Sequence, residues 1–141
     1  MSKLFIDTSF IIPLFKKMDS NKSIVLNNKD LLVDNDCYIS NGVLNEVVTV
    51  VMMRTKSFSL TKLAYNFLID NFTVLNELSI EMFNNKVFSV FAKYNQDTFK
   101  LSFVDCASVV IVDHFDLDGV VSLDKDFKLF DEISLYELKN I

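Results

Sequence analysis

Chain breakers are scarce in this sequence, with two glycines and a single proline among 141 residues. Those residue types open loops and interrupt helices, so their scarcity leaves no visible linker, repeat or low-complexity tail and favours long helices joined by short turns. Histidine is scarcer still. The only one, His114, is assigned by its place at the end of an apolar stretch to a helix C-terminus rather than to catalysis, which leaves no other histidine for a Ser/His/Asp triad. The two cysteines, Cys37 and Cys106, lie far apart without a Cys-x-x-Cys or Cys/His metal spacing, which leaves them as small core residues in a reducing compartment. A Gly-rich phosphate loop is also missing, and with it any support for nucleotide hydrolysis or dinucleotide binding.

Long apolar runs are lacking as well. Asn45 and Glu46 divide the longest candidate and Pro13 falls in the next, so nothing approaches the roughly 18 residues that cross a bilayer. At the N-terminus Asp7 arrives too early for a signal peptide's apolar region, and the expected location is the cytoplasm. Positive charge is in deficit, the formal net charge being −5. That argues against holding nucleic acid by general electrostatic attraction. It leaves open a protein that meets phosphate through bound metal, because divalent cations reverse the local sign.

What is present is a packed interior: half of the residues are hydrophobic and fourteen are Phe. This length suits a single domain spanning 1–141. Short apolar runs at Leu4–Ile6, Cys37–Ile39, Phe72–Leu75, Gly119–Ser122 and Ile133–Tyr136 read as strands. Helices are expected over Phe10–Phe15 behind Thr8 and Ser9, Asn41–Thr55 behind Ser40, Leu60–Asp70 behind Ser59, Ile80–Tyr94, Ser102–Phe115 and Lys125–Phe130, while 21–28 stays ambiguous and 34–36 reads as a turn. Strands alternating with helices predict a three-layer α/β/α, Rossmann-like domain with a mainly parallel central sheet. Ligands in such sheets collect at the C-terminal ends of the strands, where Asp7 and Asp124 both fall.

The acids then need weighing one by one. Asp7 follows a strand and precedes Thr8-Ser9, where a turn or helix cap would also use it. Glu46 interrupts a helix that is apolar nearly all round, with no basic residue three or four positions away, so burial of its carboxylate is expected to demand a metal or a distant partner. Asp105, three residues after Ser102, fits a capping role too, but its apolar neighbours Phe103, Val104 and Cys106 predict a buried helix start. Capping explains one of Asp124 and Asp126, not both. Hard oxygen ligands of this kind suit Mg²⁺ or Mn²⁺.

Four segments together resemble the PIN domains, in particular the VapC-type toxins of bacterial and archaeal toxin–antitoxin pairs. They are Phe5–Ser9, Ser40–Glu46, Leu101–Ala107 and Val121–Phe127, in the family's order and across nearly the whole chain. The resemblance implies a Mg²⁺- or Mn²⁺-dependent endoribonuclease, cytoplasmic, homodimeric and held by an antitoxin, which hydrolyses RNA by water attack to leave a 5′-phosphate. Asp7, Glu46 and Asp105 match the family's first three acids and Asp124 the fourth, with Asp126 auxiliary. Ser9 and Ser122 match its hydroxyl positions, Ser122 standing where Thr is usual. Arg54 and Lys56, with Lys16 and Lys17, are the cations available for RNA. A stand-alone RNA-processing nuclease and a non-catalytic binding module of the same fold are the alternatives. Aspartyl-phosphate chemistry fits less well, since Asp7-Thr8-Ser9 lacks the Asp-x-Asp it would require.

Overall fold

Strand β1 (Lys3–Ile6) lies at the centre of the molecule, and its Leu4, Phe5 and Ile6 are buried on both sides of the sheet. Residues 1–139 are described by the structure, a computed structural model of the chain. β1 pairs in parallel with β2 (Asp36–Ser40) on one side and with β4 (Gly119–Val121) on the other, Phe5 standing opposite Tyr38 and Val120. β3 (Thr73–Leu75) adds beyond β2, so the order is β3-β2-β1-β4 and every pairing is parallel. A sheet covered on both faces has no wet side for polar residues to occupy, which explains why β1 after Lys3, and all of β4, are unbroken apolar runs rather than alternating ones.

The connections carry the helices. α1 (Thr8–Ile11), a 3₁₀ turn Ile12–Leu14, α2 (Lys22–Asn27) and α3 (Leu31–Asp34) lead from β1 to β2. α4 (Asn41–Thr55) and α5 (Phe58–Asn71) lead from β2 to β3, and a 3₁₀ turn Glu77–Ser79 with α6 (Phe83–Asn95) and α7 (Phe103–His114) leads back to β4. Parallel crossovers are right-handed, and the first two run outward from β1 while the third returns across it. α1 to α5 therefore cover one face and α6 and α7 the other, giving the expected three layers. Contacts agree, with α4 against α5 and α1, and α6 against α7.

Several boundaries differ from the sequence expectations for identifiable reasons. The first helix is capped by Asp7 itself and breaks into α1 and a 3₁₀ turn, because Pro13 lies at the start of that turn. α5 begins at Phe58 because Ser57, not Ser59, caps it, accepting from Leu60 N at 3.1 Å. α6 starts later than expected: Met82 adopts a left-handed conformation (φ 54°) and separates α6 from the preceding turn. The segment 125–130 is a 3₁₀ turn, Lys125–Leu129, and α3 is a turn of helix that the pattern did not announce.

The expected last strand shrinks to one parallel bridge between Leu135 and Val120. Val120 N donates to Ser134 O at 2.9 Å and Tyr136 N to Val120 O at 2.8 Å, and the rest of the segment is held by side chains instead. The Tyr94 hydroxyl donates to Glu132 and accepts from Asp131 N, while Asn28 exchanges two hydrogen bonds with the backbone of Lys139.

Candidate active site

The connections from β1 and β4 depart toward opposite faces, and where strand order reverses in this way a crevice opens at the C-terminal edge of the sheet. Asp7 and Ser122 are the first residues past the ends of these two strands. Asp7 N extends the ladder by one bond to Val121 O at 2.9 Å, which fixes the backbone from which the carboxylate projects. Its Oδ2 accepts from Ser9 Oγ at 2.7 Å, Ser122 Oγ at 2.9 Å and Ser9 N at 3.3 Å. The two hydroxyl oxygens are 3.1 Å apart, but each has one hydrogen and both hydrogens can serve Asp7, so that approach need not be a further bond. As acceptors the same oxygens take Leu123 N (by Ser9, 2.9 Å) and Asp124 N (by Ser122, 3.0 Å). One hydroxyl pair thus ties together β1, α1 and the segment that carries Asp124.

Glu46 is exposed, contrary to the expectation of burial. α4 looks apolar all round in sequence, yet only the stripe Val43, Val47 and Val51 is fully buried, and Glu46 lies off that stripe. Its Oε2 accepts from the buried Thr8 Oγ1 at 3.1 Å. It has no salt bridge with Arg54 or Lys56; the ion pair found among the described residues joins Lys93 and Glu132.

Asp105 occupies the first turn of α7, where Ser102 Oγ accepts its N–H at 3.0 Å. The predicted buried helix start is also corrected: Phe103 and Val104 are exposed, and full burial begins only at Cys106, one residue past the half-buried Asp105. Burial pushes the Asp105 carboxyl above the usual carboxylate range, the Ser102 hydroxyl opposes this, and the charges of Asp124 and Asp7 raise it further. Asp105 therefore feels both of these carboxylates. Asp124 caps the 3₁₀ turn after β4, its Oδ1 accepting from Asp126 N at 2.9 Å.

A cleft of about 1010 Å³ brings Asp7, Ser9, Glu46, Asp105, Asp124 and Arg54 to common walls, with Asp19 and Glu77 beside them. Ser122 lies just behind it through its bond to Asp7. Asp126, Lys56, Lys16 and Lys17 do not line it, and among the described residues Arg54 is the one cation facing six carboxylates. Among the described residues, no three His, Cys, Asp or Glu side chains are gathered tightly enough to hold an ion between them as they stand. Uncompensated like charges repel, and at Asp105 the charges of Asp124 and Asp7 add to the burial that chiefly raises its carboxyl. The donor set itself fits a hard divalent cation, being all oxygen, and Asp7 keeps Oδ1 uncommitted because Oδ2 takes all three bonds.

Thr8 and Glu77 were not singled out from the sequence. Glu77 stands two residues beyond β3, and an acid just past a strand end is the same signal that selected Asp7. Thr8 has no such signal, since its role depends on α4 crossing over it.

An all-parallel sheet in this order, with acids at its C-terminal edge and helices on both faces, is the VapC-type PIN fold. The chain is similar to Mycobacterium tuberculosis VapC20, described as a sarcin-ricin loop cleaving toxin, at 20% identity and a TM-score of 0.73 over 92% of this chain and 98% of that one. It is similar also to a chain of Rickettsia felis VapBC2, solved bound to a DNA fragment from their promoter (14% identity, TM-score 0.70, 95% of this chain and 97% of that one). FitAcB from Neisseria gonorrhoeae gives 14% identity and a TM-score of 0.63 over 95% of this chain and 96% of that one. No protein-family model matches the chain, and no curated protein matches it.

Proposed function

We propose that the protein is a divalent-metal-dependent endoribonuclease and the toxin of a toxin–antitoxin pair. The observation that supports this reading is the cleft at the strand-order reversal, whose walls include Asp7, Glu46, Asp105 and Asp124 from four separate segments. Asp7, Glu46, Asp105 and Asp124 would hold Mg²⁺ or Mn²⁺. Such an ion, when bound, supplies positive charge beside the phosphate and activates water as the nucleophile.

The chain's own contribution is geometric and electrostatic. Ser9 and Ser122 lock one oxygen of Asp7 and leave the other to the cleft. Thr8 does the same for one oxygen of Glu46. Asp105, half-buried and within the influence of the Asp124 and Asp7 charges, gains from an added positive charge. Arg54 is the group available to a substrate phosphate in the cleft, in preference to Lys56, which lies outside it. Asp126 acts through its N–H on Asp124 rather than as a ligand.

RNA is the substrate of this reading, and the similarity to a toxin that cleaves the sarcin-ricin loop makes a structured RNA loop the first one to try. An antitoxin and a second copy of the chain are the expected protein partners. Exposed apolar side chains on α4 and α5, among them Met53, Phe58 and Leu63, offer such partners a surface. The cytoplasm, where RNA is found, is the expected location, and no helix among the described residues is long and apolar enough to cross a membrane.

Purified protein is to be incubated with loop-containing RNAs in Mg²⁺, Mn²⁺ or chelator. Cleavage is expected only with metal, and Asp7→Asn or Asp105→Asn is expected to reduce it to background while the circular dichroism spectrum stays unchanged. Undiminished cleavage by Asp105→Asn would overturn the assignment. A short open reading frame adjoining the gene supports the toxin reading; its absence favours a stand-alone nuclease.

A further inference from the structure

The first turn of α4 is held by a residue that lies far away in sequence. An α-helix leaves its first amide groups without intrahelical acceptors. Here Asn41 N donates to Glu77 Oε1 at 3.0 Å, Gly42 N to Glu77 Oε2 at 2.9 Å, and Val43 N to Ser40 Oγ at 3.1 Å. Both oxygens of Glu77 are therefore spent on the helix, and their negative charge sits at its positive end.

The fit is close. A Cβ added at Gly42 would meet Glu77 Oε2 at 3.1 Å, tighter than ordinary contact, so the side chain missing at position 42 is the room the carboxylate uses. Glu77 is brought there by β3, whose Leu75 is in register with Ser40 at the end of β2, and by the 3₁₀ turn Glu77–Ser79 that Asn76 caps through Leu78 N at 3.1 Å.

Gly42 and Glu46 are four residues apart and so lie on one face of α4, one turn from each other. Both line the cleft, as does Glu77. Glu46 has a single side-chain hydrogen bond, from Thr8, and is otherwise exposed, so the place of its carboxylate is set mainly by where the helix starts and points. We propose that Glu77 is a positioning residue for Glu46: it clamps the first turn of α4 from across the β2–β3 edge and is not itself a metal ligand, although it shares the cleft. This rests on reading the cleft as a divalent-metal site.

The test is a calorimetric Mn²⁺ titration of the full chain as wild type, Glu46→Gln, Glu77→Gln, the double variant and Gly42→Ala, each checked for helix content by circular dichroism. Glu77→Gln is expected to weaken Mn²⁺ binding about tenfold, as loss of a group that orients a ligand does. The double variant is expected to bind no more weakly than Glu46→Gln alone, because an effect that acts through Glu46 vanishes once Glu46 is gone. Gly42→Ala, which keeps Glu77 and favours the helix, is expected to weaken binding in the same direction by displacing the carboxylate, and it tests the idea even if Glu77→Gln fails to fold. Wild-type affinity in both Glu77→Gln and Gly42→Ala would overturn the positioning role. Fully additive losses in the double variant would make Glu77 a ligand in its own right and overturn it too. No Mn²⁺ uptake by the wild type would remove the metal site itself, and this inference with it.

Discussion

Asp7 owes its orientation to two hydroxyls contributed from opposite ends of the chain, and Ser122 is the more deeply placed of them at 3% exposure. Ser122→Ala removes a donor to a carboxylate and an acceptor for Asp124 N together. The expected cost is about 1–3 kcal/mol in urea unfolding, with a fall in RNA cleavage beyond what the lost stability explains. Equal stability and activity would show that Ser9 alone suffices. Cys37 gives a second prediction. Burial, helped by the Asp36 charge, raises its thiol from 9.0 to about 11. The folded state thus holds this proton more tightly than the unfolded chain, so its contribution is intact below pH 9 and is lost as pH rises toward 11. At pH 8 the native protein is expected to resist thiol alkylation that the unfolded chain undergoes readily; modification at equal rates in both states would contradict this. The acids were legible in the sequence to different degrees. Asp7 was marked by the strand end it follows. Glu46 was selected for the wrong reason, as a buried charge, because composition alone cannot say which valines of α4 form the buried stripe.

Among the elements, β4 shows what a missing side chain permits. The C-terminal segment lies so close to Gly119 that an added Cβ would stand 3.1 Å from Ser134 O, a backbone atom with little freedom to retreat. Gly119→Ala is expected to destabilise the fold by about 1–3 kcal/mol, because the single bridge at Leu135 and the bonds from Val120 must shift with it. Thermal unfolding checks this, and an unchanged midpoint would mean that the segment moves freely. The strands and long helices were legible because their apolar runs and Ser caps are local signals, as at Ser40 and Ser102. The 3₁₀ turns, α3 and the reduced last strand were not, since non-local hydrogen bonds such as Asn28 to Lys139 decide where those segments lie.

At the scale of the molecule, the cleft is an electrostatic imbalance: among the described residues, six carboxylates and one guanidinium share its walls. A divalent cation that binds only the folded state adds RT ln(1 + [L]/Kd), about 2.7 kcal/mol at a hundredfold excess over Kd. Mn²⁺ is therefore expected to raise the melting midpoint, chelator to reverse the rise, and Asp7→Asn to abolish it. A midpoint indifferent to Mn²⁺ would argue that the acids do not act together. None of the distances behind this could be read from the sequence, where 117 positions separate Asp7 from Asp124; the parallel topology and the four-segment resemblance made a common site foreseeable.

That separation also sets an order in time. β1 sits at the centre of the sheet, but the Ser122 hydroxyl just past its partner β4 is made 115 residues after Asp7. Closing so long a loop is slow, and until β4 docks only the local bonds from Ser9 hold the Asp7 carboxylate. On the proposed reading, the cleft that would cut RNA is thus assembled only after Asp124 has been added, and the growing chain carries no complete site before that point.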